Sequence, residues 1–132
     1  CLKLELTESI MHNLDEVRSK MQELNHLGVR FSLDDFGTGY SSLASLIKLP
    51  LEQLKIDRSF VANMLSSPSD EIVVKTIIAM ARSLEMDVIA EGLETDKEKE
   101  FLHMHGCSLY QGFLMSPPLP RAAFEKFVVN NQ

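Results

Sequence analysis

Four acidic side chains in this 132-residue sequence stand where carboxylates could do chemistry together. Glu5, Asp34 and Glu91 each close a short run of alternating apolar and polar residues, and Asp35 follows Asp34 directly. Carboxylates at close range repel one another, and a divalent cation relieves that repulsion. Because the set offers oxygen ligands without Cys or His, it favours Mg2+ or Mn2+ over Zn2+.

The adjacent carboxylates of Asp34 and Asp35 could serve two ions, with one carboxylate bridging them. Paired metals about 3.5–4 Å apart suit in-line displacement at phosphorus. Lys55 closes another alternating run, so its ammonium group could orient an attacking water or stabilise charge on phosphoryl oxygens. The alternative interpretation of Lys55 is a structural salt bridge to Glu91 or Asp57.

The elements that must position these residues are strands and helices in alternation. A period of two residues predicts strands at 2–6, 29–34, 53–57, 87–91 and 107–110, with a loop over 35–40. N-cap signals at Asn13, Ser67 and Thr95 predict the starts of three longer helices. A short helix is predicted at 42–47 and a terminal one at 120–129. This rhythm is typical of a parallel α/β sheet.

The charged strand ends favour one of two parallel architectures. In an open doubly wound sheet helices cover both faces, and strands read as nearly continuous apolar runs. Here alternation places Lys3 and Glu5 on one face and the leucines at positions 2, 4 and 6 on the other. A barrel has this apolar outer face and gathers catalytic residues at the carboxyl ends of its strands. Since a complete (β/α)8 barrel needs about 250 residues, we predict about five of its strands, the C-terminal half.

The composition fits one globular domain and excludes several other classes of protein. Apolar residues make up 45% and charged residues 24%, and no run reaches the roughly 18 apolar residues of a membrane helix. Cys1 and Cys107 match neither a metal spacing nor a disulfide framework, so we interpret both as reduced, which predicts a cytoplasmic location. A net charge of −6 without a basic block argues against DNA or RNA as a partner.

Five successive motifs resemble the signatures of the EAL domain. They are LELTES at 4–9, DDFGTGYSS at 34–42, KIDRSF at 55–60, EGLET at 91–95, and Gln111-Gly112 followed by Ser116 and Pro118. The family is a modified (β/α)8 barrel that hydrolyses cyclic di-GMP to linear pGpG with two Mg2+ or Mn2+ ions. The resemblance covers nearly all of the sequence and implies that 1–132 is a partial EAL domain lacking the upstream strands with the Glu-Ala-Leu motif.

The resemblance also implies roles for individual side chains. The implied metal ligands are Glu5, Asp34, Asp35 and Glu91, with Asp34 as the bridge. The implied catalytic residues are Lys55, on the nucleophilic water, and Glu91. Glu94 and Gln111 would line the substrate pocket, and Glu8 would steady the loop over 36–42.

Two functions remain open from the sequence. The parent protein would be a cyclic di-GMP phosphodiesterase, or a degenerate EAL domain that binds the nucleotide without cleaving it. An unrelated Mg2+-dependent barrel lyase fits the pattern but not the string of motifs.

The chain opens without Met on an alternating run, so we expect it to begin inside a longer protein. That parent would be a homodimer with sensory or GGDEF domains, its upstream segments could anchor it to a membrane, and the 132 residues alone would be inactive.

Overall fold

A computed structural model describes residues 2–7, 13–37 and 43–131. Strands and helices follow one another along this part of the chain. They are β1 (Lys3–Thr7), α1 (Leu14–His26), β2 (Arg30–Phe36), α2 (Leu43–Leu46), β3 (Gln53–Ile56), α3 (Arg58–Asn63), α4 (Pro68–Ser83), β4 (Asp87–Glu91), α5 (Asp96–Met104), β5 (Leu109–Gln111) and α6 (Arg121–Asn130).

The strands form one parallel sheet in the order β1-β2-β3-β4-β5. Each strand therefore pairs with the next one in the chain, whereas a doubly wound sheet reverses its order at a switch point. The predicted α/β fold, a partial TIM barrel, is confirmed. Because the five strands are parallel, their carboxyl ends lie along the same edge of the sheet. The side chains at these ends are therefore close to one another.

The apolar side of the sheet packs against the helices. Phe31, Leu33, Leu54 and Ile56 are almost fully buried there. Helix α4 contributes to both buried clusters, through Val74, Ile77 and Ile78 in one and Ala81 in the other. None of the helices in the described stretches is both long enough and apolar enough to cross a membrane.

The opposite side of the sheet is polar at three strands and mixed at the other two. Register pairs Glu5 with Ser32 and Ser32 with Gln53, so these side chains share a face. Ser32 donates a hydrogen bond of 3.3 Å to the Gln53 amide oxygen. Ile89 and Leu109, paired in register further along, make this face less uniformly polar than alternation predicted. Polar side chains joined by a hydrogen bond therefore lie beneath the charged strand ends.

The three predicted N-cap residues lie at the N-cap positions of α1, α4 and α5, and two of them make the side-chain capping bond. The Ser67 side chain accepts a hydrogen bond from the Asp70 backbone at the start of α4, and Thr95 forms a complete capping box in α5. The predicted helix start at Asn13 is confirmed, but the Asn13 side chain makes no capping hydrogen bond. Its amide nitrogen donates instead to the Glu16 carboxylate at 2.5 Å, which takes the amide group away from the helix start.

The structure departs from these predictions by more than one residue at three places. Strand β2 continues through Asp35 and Phe36, where a loop was predicted, although the register shifts there and Asp35 has a φ of 54°. Helix α3 was not predicted, because six residues are too few to show a helical period. Strand β5 begins two residues later than predicted, at Leu109.

Candidate active site at the carboxyl edge of the sheet

Lys55 lies at the centre of the predicted site. Its ammonium nitrogen is 2.6 Å from a Glu91 oxygen, 2.8 Å from a Glu5 oxygen and 3.4 Å from an Asp34 oxygen. Only 6% of the Lys55 side chain is exposed, because β3 is flanked on both sides by other strands. The structure thus brings four of the predicted residues, from four different strands, to one point.

These acidic neighbours keep the Lys55 side chain protonated. Burial by itself would lower the pKa of the Lys55 ammonium group. Hydrogen bonds to Glu5 and Glu91, with the charges of Glu91 and Asp34, outweigh that effect and raise the pKa above its ordinary value. Lys55 is therefore a cation at all physiological pH values. It can donate hydrogen bonds to an anionic substrate or a water, but it cannot accept a proton.

Asp34, Asp35 and Glu91 form an acidic cluster beside Lys55. One carboxylate oxygen from each residue lies within 4.8 Å of those of the other two, and all three residues are half-buried. Neighbouring residues in a strand normally point to opposite faces. The left-handed backbone at Asp35 changes that rule, so its carboxylate joins that of Asp34.

The acidic cluster has the donor set of a hard divalent cation. Carboxylate oxygens suit Mg2+, Mn2+ and Ca2+, and half-burial limits the screening of their mutual repulsion by water. Burial and the neighbouring charge of Asp34 raise the pKa of Asp35. Glu5 is not part of this cluster: its side chain is 55% exposed, and it reaches the site through Lys55. The residues present therefore fit a metal ion at Asp34, Asp35 and Glu91.

Asp57 lies beside the acidic cluster, where its side chain bonds with that of Asp35. The sequence predicted Asp57 only as a possible salt-bridge partner of Lys55. Its carboxylate caps α3 by accepting from the Ser59 backbone at 2.9 Å. Burial opposes its ionisation, but the bonds from Ser59 and a side-chain bond with Asp35 outweigh burial and lower the pKa of Asp57. The signal was available, because Asp57 stands two residues after Lys55 and so continues the same face of β3.

Glu94 and Gln111 line a cavity of about 780 Å3 next to the acidic cluster. Gln111 connects the two, since its amide nitrogen donates a 2.8 Å hydrogen bond to Glu91. Arg58 adds a positive charge to the cavity wall, and much of the rest is apolar. The apolar lining side chains include Phe113, Pro117, Pro118, Leu119, Phe124 and Phe127. The cavity can therefore hold flat apolar rings and groups that form hydrogen bonds.

Glu8 and positions 38–42 lie outside the described residues. The predicted contact between Glu8 and the loop over 36–42 therefore stays a prediction. Seven other site residues were predicted. Five of them, Lys55 and the four acidic residues around it, form one group, and Glu94 and Gln111 line the adjoining cavity.

Comparison with known sequences identifies related proteins. The EAL domain model matches residues 1–118. The cyclic di-GMP phosphodiesterase NbdA of Pseudomonas aeruginosa is 49% identical over 128 residues, which are 96% of this chain and 16% of NbdA. The bifunctional diguanylate cyclase/cyclic di-GMP phosphodiesterase MucR of the same species is 44% identical over 120 residues, which are 90% of this chain and 18% of MucR. The chain thus spans less than a fifth of either relative.

Solved structures share the same fold. The MucR phosphodiesterase, in complex with c-di-GMP, superposes with a TM-score of 0.89 at 42% identity, covering 93% of this chain and 50% of that one. BlrP1 of Klebsiella pneumoniae, in a complex with manganese and c-di-GMP, gives a TM-score of 0.80 at 32% identity, covering 88% of this chain and 30% of that one.

Proposed function

This chain belongs to the EAL domain family, and from that premise we propose that its parent protein is a cyclic di-GMP phosphodiesterase that releases linear pGpG. The observation that carries the proposal is the contact of Lys55 with three carboxylates from three other strands, beside a cavity large enough for a nucleotide. A buried cation among acids is costly unless a function or a network of bonds retains it. Phosphodiester hydrolysis with metal ions can use both charges, since carboxylates hold the ions and a cation stabilises the charge on the phosphoryl oxygens.

We propose that Asp34, Asp35 and Glu91, with Glu5 at their edge, hold two Mg2+ or Mn2+ ions. The support is their all-oxygen donor set and the manganese complex of BlrP1. When bound, such ions would stabilise charge on phosphoryl oxygens and lower the pKa of a bound water.

Lys55 and Glu91 are the proposed catalytic residues. Protonated Lys55 donates hydrogen bonds that orient the attacking water and favour the growing negative charge on the phosphoryl group. The Glu91 carboxylate is bonded directly to the Lys55 nitrogen at 2.6 Å, so a water bonded to Lys55 lies beside Glu91 and can donate a hydrogen bond to a Glu91 oxygen. Both side chains are largely buried, which strengthens these interactions relative to the same contacts in water.

Glu94 and Gln111 are the proposed substrate-binding residues. Guanine presents two N–H donors on one edge, and the Glu94 carboxylate can accept from both. The Gln111 amide is restrained by Glu91, so it offers its oxygen in a fixed direction. The aromatic and proline side chains of the cavity supply surfaces on which a base can stack.

We propose that residues 1–132 are the C-terminal part of one EAL barrel and that upstream strands supply the Glu-Ala-Leu motif. The chain covers 50% of the solved MucR phosphodiesterase, which supports this arrangement. The bifunctional name of MucR supports a GGDEF or sensory domain in the parent. The free buried thiol of Cys107 supports a reducing, cytoplasmic setting. A homodimer is proposed on family membership alone.

The first test measures pGpG formation by the purified parent protein with Mg2+ or Mn2+, using chromatography of the products. We expect turnover in the wild type and a loss of about 100-fold or more in Lys55→Met, because a charged hydrogen-bond donor to the transition state is removed. Lys20→Met is the matched control, since Lys20 forms an exposed ion pair on α1 and should leave turnover unchanged.

Absence of pGpG from the wild type at saturating nucleotide and metal would refute the enzymatic proposal. Binding of c-di-GMP without turnover, measured by calorimetry, would then support the receptor alternative. An unchanged rate in Lys55→Met would show that the salt bridges of Lys55 are structural only.

A further inference from the structure

Glu98 is a buried carboxylate without a part in the chemistry described above. It is 8% exposed, and one of its oxygens accepts two backbone hydrogen bonds, from Glu94 and Thr95, each of 2.9 Å. In return, the Thr95 hydroxyl accepts from the Glu98 backbone at 3.3 Å. Of the two bonds that the Glu98 carboxylate accepts, a capping box needs only the one from the Thr95 N–H. The extra bond to Glu94 restrains the residue that lines the cavity.

The segment before Glu94 is tied to the other cavity residue through the backbone of Leu93. The Leu93 N–H donates to the Gln111 carbonyl at 3.1 Å, and the Leu93 carbonyl accepts from the Leu114 N–H at 3.0 Å. Gly112 lies between these two bonds. A Cβ atom at Gly112 would come within 2.2 Å of the Leu93 nitrogen and oxygen, so only glycine allows this approach.

We propose that Glu98 is a positioning residue for nucleotide recognition. Its carboxylate holds Glu94, and the contact of Leu93 with Gly112 carries the same restraint to Gln111, so the two lining side chains form one rigid unit. The inference rests on the proposed function only in assigning the cavity to c-di-GMP. The restraint itself is a property of the loops β4–α5 and β5–α6.

The kinetic test compares Glu98→Ala, Glu98→Gln and Ser67→Ala in the parent protein. Glu98→Ala should raise KM about tenfold with a much smaller change in kcat, since a recognition group is misplaced while the reacting groups are not. Glu98→Gln keeps an oxygen that can accept both N–H bonds and should restore KM to nearly the wild-type value. Ser67→Ala removes the N-cap of α4, which does not line the cavity, and should leave KM unchanged.

Hydrogen exchange on the ligand-free protein supplies a readout that does not depend on activity. Glu98→Ala should increase exchange at the amides of Glu94 and Thr95 and also at Leu114, across the Leu93 contact. If exchange rises only within α5, or if Ser67→Ala raises KM equally, the inference is wrong. If the wild type neither binds nor cleaves c-di-GMP but exchange rises in both loops, the proposed function fails and the positioning role stands.

Discussion

Individual residues in this site owe their surroundings to their place in a strand. Leu54 and Ile56 face the helices and are fully buried, while Lys55 between them faces the carboxylates. The same one-residue alternation separates Leu33 from Asp34. A shift of register by one residue would move these charges into the apolar core, so the hydrophobic side of each strand also fixes where its charge goes.

Asp35 makes the stability of the metal-free protein depend on pH. Its pKa is raised in the folded state by burial and by Asp34, so its contribution to stability is complete below the ordinary aspartate pKa and is lost as pH rises through the folded value. Asp35→Asn keeps a neutral amide that can still donate to Asp57. We therefore expect Asp35→Asn to raise the melting temperature at pH 7 in EDTA, with the gain vanishing below about pH 4.

Thermal melts at several pH values measure this effect, and Asp87→Asn, at an exposed aspartate of β4, is the matched control. A gain in Asp35→Asn that persists undiminished at the lowest pH would contradict the electrostatic explanation. It would point to packing of the amide instead.

Among the elements, α4 joins the two buried clusters. Its apolar stripe packs against the sheet, while the other side of the helix faces solvent. Its cap at Ser67 and Pro68 in its first turn define where it begins. Helix α4 thus supports strands β3 and β4, which carry Lys55 and Glu91.

Two isoleucines in α4 allow a matched test of this packing. Ile77 is 3% exposed and Ile72 is 63% exposed. Ile77→Ala should lower the free energy of unfolding by about 2–5 kcal/mol, because it removes buried methyl groups and leaves a cavity. Ile72→Ala in the same helix should change it by less than about 0.5 kcal/mol. Urea denaturation measures both, and equal losses in the two variants would show that α4 does not bury the face seen here.

For the whole molecule, the site lies on one edge of a sheet whose five described strands match part of a longer fold. The chain covers only 50% of the solved MucR phosphodiesterase. Since barrel active sites draw residues from the ends of many strands, the proposed metal and nucleotide sites need the rest of that barrel.

The 132-residue chain alone should therefore form no measurable pGpG under conditions in which the parent protein turns over. Loss of supporting groups around a metal site alone weakens binding or activity by about 10–100-fold, and loss of direct ligands weakens them more. Product chromatography at equal concentrations of the two proteins compares them. Turnover by the short chain at the rate of the parent would contradict the proposal that upstream strands complete the site.

Local patterns in the sequence determined the positions of most strands and helix starts in this protein. A period of two residues located the strands, Asn13, Ser67 and Thr95 located helix starts, and the acidic strand ends indicated the candidate site. These features are readable because they depend on neighbours within a few positions of the chain. At Asn13 the pattern located the helix start but not the capping bond, because the amide group bonds the Glu16 carboxylate in place of the backbone.

Only the tertiary structure decided which side chains meet. It separated Glu5 from the acidic cluster and bound it to Lys55, added Asp57 beside Asp35, and joined Leu93 to Gly112. These contacts link residues far apart in sequence, and they depend on strand register and on the left-handed backbone at Asp35. A linear pattern states which face a side chain takes, whereas its distance from a residue on another strand is set by the packing of the whole sheet.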